Sequence, residues 1–567
     1  MTQLIGNPKS LPVLKAAPTL DALALIDASP YSNQNGAPGW ISTNLFMRQI
    51  RNLVIDGTAV APTKGFQGIH WPASQATTIQ NVKIRMTQSS DSVHAGIFVE
   101  NGSGGHMADL EIEGGEYGMN IGNQQFTMRN IKISKAVIGI SQIWNWGWLY
   151  SGLSISDCGT AFSMINGYTS NKLEVGSVVI IDSEITNCPR FVDMAWKTNS
   201  VPIGAGQLTL ENIKLTNVPI AVMGSGATIL AGGTLTIQAW GQGNKYSPNG
   251  PVKFQGPITA ASRPAGLLDG GKYYSKSKPQ YETLTVSNFV SARGSGATGD
   301  GSTDDTKAVQ NAINTAVSQN KVLFFEHGVY KVTQTIYVPP GARMVGETFS
   351  VIMGSGSTWS NMANPAPIVQ IGKSGESGSI EWSDMIVQTQ GATPGAVVIE
   401  YNLNSARGSG LWDVHTRIGG AKAQNVFAGF IQTETPYYMP SPDAKTQPYG
   451  RSDTYSDPNY ATACTSGICD AYGLRVLNSK SILIYGGGLY SFFKNYDVSC
   501  SSPDAANGFR NCQTRIFSIE GASSVQAFAL SEVGAEQMLT IDGVDKAKWS
   551  DNLSVYSNTI GYLAYNV

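Results

Sequence analysis

Gly299-Asp300-Gly301-Ser302-Thr303-Asp304-Asp305-Thr306 stands in the middle of a chain of 567 residues. Its glycines allow a tight loop, and Asp305 or Thr306 is placed to cap a helix. The residues that follow carry that helix, with Ala308, Val309, Ala312, Ile313 and Ala316 at helical spacing, and then the apolar run Val322-Leu-Phe-Phe. A short capping helix that leads into evenly spaced strands is how a parallel β-solenoid opens. Because the opening falls at residue 299, the chain is expected to hold two solenoids in tandem, the first without an opening helix of its own.

The repeat that precedes this stretch is legible residue by residue. Asn52-Leu-Val-Ile, Asn81-Val-Lys-Ile, Asp109-Leu-Glu-Ile, Asn130-Ile-Lys-Ile, Gly152-Leu-Ser-Ile, Ser183-Glu-Ile and Asn212-Ile-Lys-Leu end on Ile55, Ile84, Ile112, Ile133, Ile155, Ile185 and Leu215. The intervals are 29, 28, 21, 22, 30 and 30 residues, the recurrence of stacked rungs. Apolar and polar residues alternate within each segment, as in a half-buried strand. Each rung buries its apolar face against its neighbours only. The Asn or Asp before most of the apolar pairs suits a tight turn, where its side chain satisfies free backbone groups. The same grammar resumes after residue 320 with Lys331-Val-Thr-Gln-Thr-Ile-Tyr-Val, Arg343-Met-Val-Gly, Val351-Ile-Met, Ile368-Val-Gln-Ile, Ile380-Glu-Trp-Ser-Asp-Met-Ile-Val and Ala396-Val-Val-Ile.

The predicted fold is therefore all-β, two tandem right-handed parallel β-helices. The first spans 1–240, a Gly/Pro/Ser-rich linker over 241–285 packs across both, and the second spans 286–567 with its capping helix at the start. Leu411-Trp-Asp-Val-His-Thr-Arg-Ile and Asn425-Val-Phe-Ala-Gly-Phe-Ile-Gln both read as rung strands, yet Val414 and Val426 are only 12 residues apart, about half a rung.

Composition fits an extracellular all-β protein, with 14% charged residues, 63 Gly, 11 Trp and 23 Tyr. A net charge of −2 without runs of like charge argues against nucleic acid as a partner. No apolar run reaches the roughly 20 residues of a membrane span, and the residues after Met1 lack the basic start and apolar core of a signal peptide. Among six cysteines, Cys464/Cys469 and Cys500/Cys512 are close pairs suited to disulfides, whereas Cys158 and Cys188 read as buried thiols at equivalent points of successive rungs. No metal-binding pattern is present, and no cofactor is expected.

Gly68-Ile-His-Trp, Glu100-Asn-Gly-Ser-Gly-Gly, Gly122-Asn-Gln-Gln-Phe-Thr, Ile143-Trp-Asn-Trp-Gly-Trp, Ala239-Trp-Gly-Gln-Gly-Asn and Ile431-Gln-Thr-Glu-Thr-Pro-Tyr-Tyr together resemble glycoside hydrolase family 55, exo-β-1,3-glucanases with two tandem β-helices. The Gly299 motif is shared more widely, with pectate-lyase-like proteins and phage tailspikes. The resemblance implies exo-acting, inverting hydrolysis of β-1,3-glucan, by a secreted monomer without a metal. It makes Glu434 the general acid that protonates the leaving oxygen, and it places a water-holding amide at Gln124 or Gln125, with Gln124 preferred. The family's second catalytic-site glutamate has no counterpart here. Its rungs are expected to be missing between Gly420 and Lys422, and its first capping motif and signal peptide before Met1.

Trp144, Trp146 and Trp148 share one parity of an extended segment and could face outward together, as a row for stacking on sugar rings or as a shelf under the linker. Tyr437 and Tyr438 could wall Glu434 and raise its pKa. Trp71 and Trp240 read as packing residues, and His70 and His415 as isolated structural histidines. Two other readings compete: a non-catalytic carbohydrate-binding β-helix, and a pectin-active enzyme that shares only the fold.

Overall fold

The computed structural model describes residues 2–31, 39–40, 42, 45–74, 76–165, 171–245, 247–249, 251–361, 364–391, 393, 395–417, 474–477, 480–490, 515–521, 523–533 and 537–548. It is built from tandem right-handed parallel β-helices. In the first, Ile55, Ile84, Ile112, Ile133, Ile155, Ile185 and Leu215 stand opposite one another in unbroken register, one per turn. All seven are buried. Asn52, Asn81, Asp109, Asn130, Asp182 and Asn212 adopt positive φ at the corner before this ladder, a conformation that Asn and Asp tolerate best after glycine. Their side chains bond from turn to turn: Asn81 Nδ2 donates to Asn52 Oδ1 at 2.9 Å, and Asn130 Nδ2 to Asp109 Oδ1 at 2.7 Å.

Trp71 and Trp240 are buried packing residues. Cys158 and Cys188 are buried free thiols. Part of the stretch expected to be linker carries strand: Ala227–Lys245 and Val252–Pro257 run antiparallel onto the last turn of the first coil.

The second coil opens with the helix Thr306–Ser318, which buries Val309, Ala312, Ile313 and Ala316 over the end of the stack. Its start differs from expectation. The Asp305 carboxylate turns back to accept the N–H groups of Thr298 (2.7 Å) and Gly299 (2.9 Å) and makes no cap bond, while Asp304 Oδ1 accepts the Thr306 N–H at 3.0 Å. Asp305 therefore braces the preceding loop and Asp304 satisfies the helix. Arg343-Met-Val-Gly and Val351-Ile-Met belong to one strand, Arg343–Ser355, which pairs with Glu381–Gln390 and through it with Gly410–Arg417. Leu323, Met344, Trp382 and Leu411 stack in its core. The Asn425 segment lies outside the described residues, as do Cys464, Cys469, Cys500 and Cys512.

The coils are joined along a charged seam. Asp384 and Asp413 occupy corner positions of the second coil with positive φ. Both point at Lys278 of the connecting segment, whose Nζ lies 2.5 Å from Asp384 and 2.8 Å from Asp413. From the first coil, Gln49 Nε2 donates to Asp384 at 2.9 Å, Arg51 approaches it at 3.4 Å, and the Thr78 hydroxyl donates to Asp413. Lys276 likewise pairs with Glu381 and accepts the Trp412 indole N–H on its carbonyl. Lys278, Asp384 and Asp413 are almost wholly buried, so each charge depends on the others for the solvation it has lost.

Burial opposes ionisation of Asp413, yet the Lys278 charge and its hydrogen bonds hold its pKa well below the usual carboxylate range. A depressed carboxylate stabilises the fold fully above its unfolded pKa of about 3.9 and loses that contribution as pH falls through the depressed value. Lys278→Met should cost about 3–5 kcal/mol in urea unfolding at neutral pH, because two buried carboxylates lose their cation. Adding Asp384→Asn and Asp413→Asn should recover much of it.

Candidate active site

The sequence motifs converge on one corner of the first coil, where the strands Tyr117–Ser134 and Ile138–Ser151 run side by side. Asn123 pairs in register with Asn145. Neither amide is exposed, and both are fully used. Asn123 Nδ2 donates to the carbonyls of Ala73 and Asn101, both at 3.1 Å, and its Oδ1 accepts the N–H groups of Gly104 and Gln124, both at 2.7 Å. Asn145 does the same one turn on, accepting from Gly176 and Ser177 and donating to the Ser177 carbonyl. Gly102 makes this possible: at φ +138° a Cβ there would lie 2.1 Å from Asn123 Nδ2 and 2.0 Å from the Ala73 carbonyl oxygen. The two amides add side-chain bonds to the backbone pairing of these strands.

Gln124 and Trp146 follow these paired asparagines directly, and both are half-buried, with a face toward solvent. Gln125 is buried, 5% exposed, which leaves Gln124 the more accessible amide of the pair. Trp144 is half-buried as well. Its indole lies back across Gly122, where a Cβ would meet Trp144 Cδ1 at 2.3 Å. From there its Nε1 donates to the Glu100 carbonyl at 2.8 Å.

Trp148 overturns the expectation of three outward tryptophans. It is wholly buried, packs 4.9 Å from Phe126, and donates its Nε1 to the Asn123 carbonyl at 3.0 Å. Alternation fails beyond Trp146: Trp146 and Gly147 are both half-buried, and Trp148, Leu149, Tyr150 and Ser151 are all buried, so Trp148 does not share the side of Trp144 and Trp146. Glu434, Tyr437 and Tyr438 lie outside the described residues. The strands Lys480–Tyr490 and Ser523–Val533 of the second coil run beside the two first-coil strands that carry Gln124 and Trp144.

His70 is not isolated. Its Nδ1 lies 2.8 Å from Asp27 and its Nε2 2.9 Å from Glu100, and Tyr31 donates its hydroxyl to Glu100 at 3.0 Å. Burial would lower the His70 pKa, but the hydrogen bonds and charges of Glu100 and Asp27 outweigh it and raise the value above the ordinary one. Burial and then Glu100 push the Tyr31 hydroxyl well above its ordinary range, so it stays a donor. This cluster was invisible in the sequence because its members are 43 and 30 residues from His70. The other histidine, His415, is buried near Asp413, and burial depresses its pKa.

A second, polar cleft of about 630 Å³ opens between the connector and both coils, lined by Asn81, Asp109, Asn130, Tyr281, Arg343 and Glu381. It holds none of the expected site residues, and Tyr281 and Glu381 are already bonded to each other at 2.9 Å. Among the described residues no group of three or more His, Cys, Asp or Glu is arranged to hold a metal ion.

Comparison with known proteins places this corner in context. The family described as "Rhamnogalacturonase A/epimerase, pectate lyase-like" matches residues 1–163 and 289–382, a portion of each coil. A "Glucan 1,3-beta-glucosidase" of Cochliobolus carbonum is 66% identical over all of this chain and 83% of its own length. The chain belongs to family 55 of the glycoside hydrolases. Two further family relatives are a "Probable glucan endo-1,3-beta-glucosidase" of Arthroderma benhamiae, 30% identical over 99% of this chain and 84% of its own, and "Glucan endo-1,3-beta-glucosidase BGN13.1" of Trichoderma harzianum, 29% identical over 75% of this chain and 54% of its own. The alignment with the Cochliobolus protein runs over 659 positions against 567 residues here, so that relative carries about ninety residues with no counterpart in this chain.

Replacing Asn123 by Ala removes four hydrogen bonds from a buried site, those to the Ala73 and Asn101 carbonyls and to the Gly104 and Gln124 N–H groups, and leaves Ala73 only its bond from the Ser103 N–H. Thermal unfolding should show a loss of at least about 1–3 kcal/mol, and the Trp148 environment should change in the near-ultraviolet circular dichroism.

Proposed function

We propose that this chain hydrolyses β-1,3-glucan, acting from the chain end with inversion of the anomeric carbon. The observation that carries the reading is the 66% identity, over the whole chain, with a protein named as a glucan 1,3-beta-glucosidase. The corner of the first coil supports it. Trp144 and Trp146 offer indole faces to solvent, and a pyranose presents apolar C–H faces that stack on such rings. Gln124 lies on the neighbouring turn, next to the Asn123 that pairs with Asn145, and is half-buried.

In this reading Glu434 donates a proton to the glycosidic oxygen as the bond to the anomeric carbon breaks. Water held by the Gln124 amide attacks the opposite face of that carbon, with Gln125 packed behind; as the new C–O bond forms the water gives up a proton to solvent, and solvent returns one to Glu434. Tyr437 and Tyr438 bind sugar beside Glu434. No metal or cofactor takes part. The substrate is neutral, so binding rests on stacking and hydrogen bonds rather than on charge. The protein acts outside the cell as a monomer.

Two of the relatives are named as endo-acting, and the products of laminarin digestion separate the modes. Chain-end action releases glucose from the first minutes, and internal cleavage releases oligosaccharides. Inversion is read by proton NMR as α-glucose appearing before mutarotation. Glu434→Gln should lower the rate of glucose release by about 10²–10⁴-fold while leaving laminarin binding intact. Retained activity in that variant removes Glu434 from the role. Laminarin binding without turnover by the unaltered chain favours a non-catalytic carbohydrate-binding protein.

A further inference from the structure

Asp27, His70, Glu100, Gly122 and Trp144 come from five successive turns and form one connected line along the first coil. Asp27 stands opposite His70, His70 opposite Phe98, Val99 opposite Ile121, and Gly122 opposite Trp144. The Asp27 and Glu100 carboxylates grip the two imidazole nitrogens, the Glu100 carbonyl holds the Trp144 indole N–H, and Gly122 leaves the space through which that indole reaches it.

We infer that His70 is a positioning residue for glucan binding, clamped as a cation between Asp27 and Glu100 so that Glu100 fixes the Trp144 ring in the orientation that a sugar stacks on. The inference rests on the proposal that Trp144 is a sugar platform, and it adds the device that presets it.

Geometry alone requires the cation. A neutral imidazole has one N–H and one bare lone pair, so it can donate to one carboxylate only. The other carboxylate would then press its lone pairs against a lone pair at 2.8–2.9 Å. With the proton in place both contacts are charge-assisted hydrogen bonds. The imidazole has no room to turn away: it is 0% exposed, with Phe98 stacked at 5.4 Å and Tyr31 at 5.3 Å. The groups that face it are Asp27 from the turn before, Glu100 from the turn after, and Tyr31, which also donates to Glu100. Arg48 is engaged elsewhere, with the Ala28 carbonyl and the Trp40 ring.

The sign of the pH effect follows. The folded His70 pKa lies above its ordinary value, so the clamp is intact below the ordinary imidazole value and is lost as pH rises through the folded pKa. Loss of the proton frees one carboxylate, loosens Glu100, and with it the seat of Trp144.

The test is KM and kcat for laminaritriose across about pH 5 to about pH 9, for the unaltered protein and for His70→Gln, Tyr31→Phe, Gly122→Ala and Trp144→Ala. A loss equivalent to one hydrogen-bonded contact is about tenfold in affinity. His70→Gln should raise KM by about that factor at low pH, with kcat falling far less, and should flatten the alkaline rise in KM that the unaltered protein shows. Gly122→Ala, which displaces the indole without touching His70, should raise KM in the same way. Tyr31→Phe should keep the pH dependence. If His70→Gln does not fold, Gly122→Ala and Tyr31→Phe decide the matter. Unchanged KM in Trp144→Ala overturns the platform itself. A raised KM in Trp144→Ala, with KM and its pH profile unaltered in His70→Gln or in Gly122→Ala, overturns the positioning role alone.

Discussion

A strand in a parallel coil must find backbone partners along both edges, and here each turn finds them in the turns above and below. That requirement ties each residue of the ladder from Ile55 to Leu215 to one 21–30 positions away in sequence. The apolar ladder from Ile55 to Leu215 supplies the hydrophobic drive. The Asn and Asp corners set the register, because each turn must bend at a residue that accepts positive φ. Once the register is set, everything on the outside of the coil is aligned with it, including the residues that the chemistry needs.

Asn and Asp side chains serve three ends. Asn52, Asn81, Asp109 and Asn130 link turn to turn. Asp384 and Asp413, at corners of the second coil, are turned toward the first coil and are neutralised by Lys278. Asn123 and Asn145 use their amides within paired strands instead, bonding to neighbouring backbone, and beside them stand Gln124, Trp144 and Trp146, the proposed sugar-binding residues. Such a side chain thus becomes either a strut, a joint, or the frame of a binding surface, according to what lies outside it.

How much of this was legible in the sequence follows from the range of each interaction. The ladder was readable because alternation and recurrence are local patterns that repeat. The helix Thr306–Ser318 was readable from its apolar spacing, but the division of labour between Asp304 and Asp305 was not, since it depends on where the preceding loop returns. Trp148 was misread because the strand stops alternating beyond Gly147 and buries four residues in a row, Trp148 to Ser151. The surroundings of His70 could not be read at all. Asp27 and Glu100 reach it only because the coil stacks their turns, and neither lies within a motif centred on the histidine. Of the candidate site, the amide and the indoles were named from family-like motifs, whereas the contacts from His70 through Glu100 to Trp144 emerged only from coordinates.

The buried Lys278 has a bearing on biosynthesis. The cation is made with the connector, its two anions come about 100 and 135 residues later, and their remaining partners, Gln49 and Thr78, were made long before. A nascent chain must therefore carry the first coil, exposed along one flank, until residue 413 has left the ribosome. Polar side chains such as Arg51, Gln49 and Thr78 keep that stretch of the flank hydrated in the unfinished protein, while Met47 waits for its apolar partners Val351, Met353 and Ile386.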